Sequence, residues 1–407
     1  MRTVRLLHIS DLHRGGTWQN DVVGDYKDSA VSKTFAGTIT APMEKDFIDS
    51  IKSWQDLHGR IDVLVCTGDL GNRGDAAKIK EGVAFINIIQ KELSICCDNV
   101  LICPGNHDAD REKTDEHVFS GFISALSDYG YKDHLSDMLP FIINGVPFLV
   151  MNTSLGASEK SVFVRKYKEL VKGLNSDEQN LFADELKKAG MEYLEDCLDI
   201  PAITNSQIER VTKAIVKDKS SFVVLVMHHS LMPCNAVEIR PYSAVIDAGK
   251  TLDKLMNTYK DVLILHGHVH FPSSSILLWP VGHSFVSSVG TGLFNGTAGS
   301  TVNIIELFCS DEGDHVITVV YEYIKQINGL NFNKSFCIYN QKVNCDPTDV
   351  IRQFESEPGK GIRFSDLKEG IGCSERDLLR KVLSNFNLFR VTRNGSEDVG
   401  DWIVYKN

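Results

Sequence analysis

The sequence predicts an α/β fold, a four-layer αββα sandwich of two mixed sheets flanked by helices, with a small module of helices and a hairpin at its C-terminal end. Three observations predict it. Short runs rich in Val, Ile and Leu recur over the first 270 residues and alternate with helical patterns, as in layered α/β cores. Beyond about residue 270 the pattern changes to strand-like segments separated by glycine turns. From about residue 350, two short helical stretches precede two strand-like ones.

Each element has its own signal. VRLLHIS (4–10) reads as a buried strand that stops at Asp11-Leu12-His13. Phe47, Ile48, Ile51, Trp54 and Leu57 follow at helical spacing. IDVLVCTG (61–68) stops at Asp69, and Val83, Phe85, Ile86, Ile89 and Leu93 mark a second helix. NVLICPG (99–105) stops at Asn106-His107-Asp108. PFLVMN (147–152) stops at Thr153, SFVVLVM (221–227) at His228-His229, and DVLILHG (261–267) at His268-Val269-His270. Such runs read as strands covered on both faces. Residues about 154–218 read as charged helices, either a solvated cover over the core or a cap shaping a substrate entrance. SSILLWPVG, SFVSSVGTG, TVNIIELFC and HVITVVYEYI, all after His270, read as a second sheet packed on the first.

In the tail, Phe364 opens a short helix ending near Gly370. Ser374 and Asp377 form a loose capping box, and Leu378, Leu379, Val382, Leu383 and Phe386 share one helical face. LFRVTR and DWIVYK read as a hairpin around Asn394-Gly395. Helix, helix, hairpin resembles a winged-helix module. The expected domains are 1–345, with the helical insertion at 154–218, and 346–407.

Composition narrows the function classes. The chain has 407 residues, 43% hydrophobic and 24% charged, with a formal charge of −11. That charge excludes a generally basic, nucleic-acid-coating protein. From Ile351 onward there are ten Lys and Arg against nine Asp and Glu, so the tail is no basic clamp, and it is open to a protein or nucleic-acid partner or to packing on the core. Ten cysteines show no CxxC pair, and several sit in apolar runs, as Cys66 and Cys103 do. They read as reduced core residues. No long apolar segment opens the sequence. The expectation is a cytoplasmic protein without signal peptide or membrane span.

The polar clusters at the strand ends carry the chemistry. In α/β sheets, ligands gather beyond the carboxyl ends of the strands. Here Asp11, His13, Asp69, Asn106, His107, His228, His268 and His270 all fall at such ends. Asp11 and His13 are two apart, so an extended backbone sends both to one side, and His268 and His270 repeat that spacing. Setting His107 aside, the donors exceed the four that one zinc ion takes and suit two ions sharing a carboxylate. Imidazole and oxygen donors without thiolate favour Mn, Fe, Zn or Ni over Mg or Ca.

DLH (11–13), GDLGNRG (68–74), GNHD (105–108), HHS (228–230) and GHVH (267–270) together resemble the calcineurin-like metallophosphoesterase superfamily, in its motif order, over residues 4 to about 310. The resemblance implies two divalent metal ions, manganese first among the candidates. Asp11, His13 and His270 would hold one, Asn106, His228 and His268 the other, and Asp69 would bridge them. His107 would face the leaving group without binding metal. His229 and His266 fall outside the ligand set, as supports behind it, His266 with a packed core histidine as its alternative. The implied reaction is hydrolysis of a phosphodiester by attack of a metal-bridging hydroxide on phosphorus, with a nucleotide or cyclic nucleotide as substrate. A DNA or RNA nuclease of the repair-exonuclease type and a docking subunit on the same body are the alternatives. Asn72 departs from the protein-phosphatase branch, which carries an acid there and lacks GHxH. Arg73 and Arg111 are candidate phosphate contacts. A degenerate fold kept as a scaffold would show lost ligands, and none is lost.

Overall fold

Each apolar run that ends in a polar cluster forms a strand, and the strands divide between two six-stranded mixed sheets. The structure is a computed structural model describing residues 1–14, 41–72, 74–110, 112–113, 117–133, 140–157, 201–204, 207–209, 221–231, 245, 248–257, 259–269, 272–278, 285–291, 301–326, 329–339, 345–355, 359–393 and 396–407. In chain order its main elements are β1 (Arg2–Ile9), α1 (Ala41–His58), β2 (Val63–Cys66), α2 (Ala76–Glu92), β3 (Val100–Ile102), α3 (Ser120–Asp128), β4 (Phe141–Ile143), β5 (Val146–Val150) and β6 (Phe222–Val226). There follow α4 (Ala248–Met256), β7 (Asp261–His266), β8 (Ser273–Leu278), β9 (Phe285–Gly290), β10 (Thr301–Cys309), β11 (His315–Gln326) and β12 (Gly329–Ile338). The tail holds α5 (Thr348–Gln353), β13 (Ile362–Arg363), α6 (Phe364–Ile371), α7 (Glu375–Leu383), β14 (Phe389–Thr392) and β15 (Ile403–Lys406).

The first sheet has the order β12-β11-β10-β1-β2-β3, and the second β4-β5-β6-β7-β9-β8. The strands after His270 therefore do not form the second sheet, as their sequence position suggests. β8 and β9 complete it, whereas β10 returns to pair antiparallel with β1, from Arg2↔Cys309 to His8↔Asn303. Every residue of β10 is buried, so it needs cover on both faces, which a place beside β1 supplies. Alternation within a strand carries no information about its sheet.

Period-two alternation builds the layers. Leu7 and Ile9 of β1 pack with Phe47 and Ile51 of α1, Val83 and Ile86 of α2, and Phe122 of α3. Val4 and Leu6 point the other way, into a layer between the sheets with Phe148, Val224, Leu263 and Leu307. On the far face of the second sheet, Val223, Leu225 and Ile264 pack with Leu252 and Leu255 of α4. The result is helix, sheet, sheet, helix. Leu57, in the last turn of α1, lies 67% exposed, off the buried face.

The expected insertion at 154–218 lies mostly outside the described residues. In the tail, α6, α7, β14 and β15 occupy the expected segments, with β15 between β13 and β14; Asn394 and Gly395 lie outside the described residues. Ser374 caps α7 by accepting the Asp377 N–H at 3.1 Å. The tail shares a core with the first sheet, in which Phe308, Ile317 and Val319 meet Phe354, Leu378, Leu379, Trp402 and Val404. Arg380 of α7 donates to the Val316 carbonyl at 2.8 Å. A buried charge network reinforces the contact. Glu306 receives both terminal nitrogens of Arg393, Arg5 Nε at 3.0 Å and the Tyr321 hydroxyl at 3.0 Å. Burial favours the neutral acid, but Arg393 and Arg5 outweigh it and hold Glu306 at about 2. Among the described residues, no helix is long and apolar enough to cross a membrane.

Candidate metal centre

The parallel strands β1, β2, β3, β6 and β7 end side by side, and their loops are stitched together by backbone hydrogen bonds. Asp11, His13 and Arg14 donate N–H groups to the carbonyls of Gly68, Asp69 and Leu70, at 2.9–3.0 Å. Gly267 donates to the His228 carbonyl at 3.0 Å. This stitching changes the reading of D-x-H. The backbone there is not extended: φ is 57° at Asp11 and 41° at His13. Six described non-glycine residues have positive φ, and four of them are Asp11, His13, Asp69 (55°) and His268 (69°). Each such residue costs about 1–3 kcal/mol. Strain thus collects on the side chains that converge.

Asp69 is the centre of the cluster. Its Oδ2 lies 3.4 Å from His13 Nε2 on one side and 3.3 Å from His228 Nε2 on the other. Its Oδ1 accepts the His107 N–H at 2.9 Å. His228 Nε2 also lies 3.0 Å from Asn106 Oδ1, while His228 Nδ1 donates to the Thr67 carbonyl at 2.7 Å. That bond aims Nε2 at the cluster, as partners behind metal-binding histidines do. Asp11 carboxylate oxygens accept the His268 N–H at 3.2 Å. Three donor groups form sets with ligand atoms within 4.8 Å: Asp11, Asp69, His228; His13, Asp69, His107; and His228, His229, His268.

The site is buried and negatively biased. Asp11 and Asp69 are 0% and 1% exposed. Burial pushes the Asp69 carboxyl up, but the imidazoles of His228, His107 and His13 overcome it and hold Asp69 well below the ordinary carboxylate range. Burial likewise lowers His228, and Asp69 and Asp11 overcome that, raising it to about 10. In the ion-free protein His228 thus carries a proton against Asp69. A cation competes for the place of that proton.

His107 is held differently. Its Nδ1 donates to Asn72 Oδ1 at 3.0 Å, which leaves Nε2 as the reactive nitrogen. Of the sequence-predicted residues, the structure brings Asp11, His13, Asp69, Asn106, His107, His228 and His268 together; His270, Arg73 and Arg111 lie outside the described residues. His266 is buried behind the site, with Nδ1 3.2 Å from the Gly267 carbonyl and Nε2 3.3 Å from Ser273 Oγ.

Four contributors escaped the sequence reading. Asp108 accepts the N–H of Gly71 at 3.0 Å and of Gly105 at 2.9 Å, tying two loops together; burial and the Asp69 charge raise it to about 6. Thr153, at the end of β5, holds His229. The glycines before Asn106 and His268 are required by close approach: a Cβ at Gly105 would sit 2.0 Å from Asp69 Oδ1, and one at Gly267 1.8 Å from Ser10 Oγ. The glycine in G-D, G-N and G-H was the available signal.

The profile of the calcineurin-like phosphoesterase family matches residues 4–272. A dimetal phosphatase from Danio rerio is similar in structure, with 12% identity and a TM-score of 0.53, over 84% of this chain and 100% of that one. A structure described as a 5′-nucleotidase from Staphylococcus aureus shares 12% identity at a TM-score of 0.40, over 89% of this chain and 60% of that one. The search of curated proteins finds no match. With the profile spanning about two thirds of its length, the chain belongs to the calcineurin-like phosphoesterase family.

Proposed function

We propose that the protein is a phosphodiesterase that hydrolyses a small nucleotide or cyclic-nucleotide diester with two divalent metal ions, manganese foremost. The family uses a dinuclear metal centre, and the donor set fits one. Two carboxylates, an amide oxygen and buried imidazoles converge, with no lysine or arginine in the three donor sets among the described residues, and Asp69 stands between His13 and His228 as a bridge would. In this reading Asp11, His13 and His270 would hold one ion, Asn106, His228 and His268 the other, and Asp69 would be shared. A bound pair supplies Lewis acidity, drawing charge from phosphoryl oxygens and making water nucleophilic near neutral pH. Asp69 and Asp11, rigid and strained, fix where that charge sits. His107 Nε2 hands a proton to the departing oxygen.

The observation that carries the diester preference is the Asn72–His107 hydrogen bond. An amide orients the ring without fixing its positive charge, as a carboxylate would. A diester brings one negative charge to the site and a monoester dianion two. The less stabilised imidazolium suits the former. The tail gives the nuclease alternative no support. Its helix α7 turns Leu378, Leu379 and Arg380 onto the first sheet, and the residues after β14 include Glu397, Asp398 and Asp401, a poor surface for phosphates. We take the tail as a winged-helix-like module used for packing on the body.

The test compares bis-p-nitrophenyl phosphate with p-nitrophenyl phosphate in manganese. The expected result is a higher kcat/KM for the diester, cleavage of cyclic nucleotides, and no degradation of single- or double-stranded DNA. His107→Ala should lower diester turnover about 10²–10⁴-fold with metal content unchanged. A preference for the monoester overturns the reading.

A further inference from the structure

His229 stands beside the ligand set, and its ring is fixed by one threonine. The backbone N–H of His229 donates to Thr153 Oγ1 at 3.0 Å, and the same oxygen lies 3.0 Å from His229 Nδ1. A hydroxyl has one hydrogen to give and two lone pairs to accept with. The backbone N–H takes one lone pair. Among the described residues, the remaining partner of the Thr153 hydroxyl hydrogen is His229 Nδ1. Reversing that bond would leave a buried hydroxyl hydrogen without an acceptor among the described residues, at a cost of about 1–3 kcal/mol. With Nδ1 accepting, the ring hydrogen of His229 sits on Nε2. A protonated ring also carries hydrogen there, so the conclusion does not depend on the charge of the ring.

His229 contributes a ring nitrogen within 4.8 Å of those of His228 and His268, and its ring centroid is 4.2 Å from that of His268. Position alone would make it a third imidazole ligand. A ligand nitrogen, however, must offer a lone pair, and Nε2 carries hydrogen. We propose that His229 is a hydrogen-bond donor rather than a metal ligand, its Nε2–H meeting an oxygen of the phosphoryl group held between the ions, with Thr153 as the residue that sets its tautomer. This rests on the dinuclear reading given above. It gives the second histidine of HHS a role distinct from the first. His228 gives Nε2 to the cluster because its Nδ1 is turned to a carbonyl; His229 cannot, because its Nδ1 is turned to a hydroxyl that must donate.

The test uses full-length protein loaded with manganese, elemental analysis, and titration with inorganic phosphate. His229→Ala and His229→Gln are expected to keep the wild-type metal count. Phosphate affinity should fall about tenfold in His229→Ala and less than threefold in His229→Gln, whose amide restores a donor near Nε2. In zinc-loaded wild-type protein, long-range nitrogen–proton spectra should assign the His229 hydrogen to Nε2, a readout that needs no variant to fold. Loss of one ion in His229→Ala, an Nδ1–H assignment, or unchanged phosphate affinity overturns the proposal and leaves the dinuclear reading intact. Absence of metal from wild-type protein overturns the dinuclear reading instead.

Discussion

Two clusters of buried charge lie along β1, Arg5 within the strand and Asp11 just beyond it, and they deal with burial in opposite ways. Around Arg5 the protein answers its own charge. Glu306 is 0% exposed, yet two guanidiniums and a tyrosine hydroxyl cover its oxygens, and Arg5 also pairs with Glu397 at 2.6 Å, so two carboxylates meet two guanidiniums. Around Asp11 it does not. Two carboxylates face imidazoles and an amide, and the proton that His228 carries in the ion-free protein cancels one of them at most. Burying an uncompensated charge is costly, so a balanced cluster reads as structure and an unbalanced one as a place for a charge from outside. The strained residues obey the same division: Asp11, His13, Asp69 and His268 have positive φ, and Arg5, Glu306 and Arg393 do not.

The sharpest way to break this comparison is to exchange the fates of the two clusters. Asp69→Asn should lower activity by at least about 10³-fold, beyond the roughly 10–100-fold typical of residues behind metal ligands. Its circular dichroism should stay that of the wild type. Glu306→Gln should do the reverse. It leaves two buried guanidiniums facing a neutral amide and should cost about 3–5 kcal/mol of stability in denaturant melts, while metal content at low temperature stays unchanged. Equal stability losses in the two variants would erase the distinction.

Acid should separate the clusters next. Glu306 is held down at about 2, so its contribution is present above the ordinary carboxylate range and is lost only as pH falls through that value. The tail therefore stays docked at pH 5. In the ion-free metal centre His228 is raised from 6.5 to about 10. Its pairing with Asp69 stabilises the ion-free protein fully below 6.5 and fades as pH rises through 10. Metal must displace that proton. Metal affinity should weaken about tenfold per pH unit between pH 8 and 6 for each proton displaced, and calorimetry in buffers of different ionisation enthalpy should show proton release on loading. The smallest effect belongs to Asn72→Asp, which should raise the pH profile limb of His107 by about one unit without changing metal content.

Much of this division was legible before any coordinates. Apolar runs stopping at Asp11, Asp69, Asn106, His228 and His268 disclosed both the strands and the rim, because strand direction in a parallel sheet puts every such end on one side. The destination of β10 was not legible, since a run buried on both faces fits either sheet. Nor was the Glu306 network: Arg5, Glu306 and Arg393 are single charged residues 301 and 87 positions apart, with no motif around them. The left-handed backbone at Asp11 and His13 was missed because it arises from bonds to the neighbouring loop, Gly68 to Leu70, rather than from their own side chains.

The most direct measurement is elemental analysis of wild-type and Asp69→Asn protein after manganese loading and removal of excess ion at pH 8. The account predicts about two ions per wild-type chain and a loss of one or both in Asp69→Asn, with Glu306→Gln matching the wild type. Wild-type chains that retain none, or an Asp69→Asn variant that keeps a full pair, would contradict it.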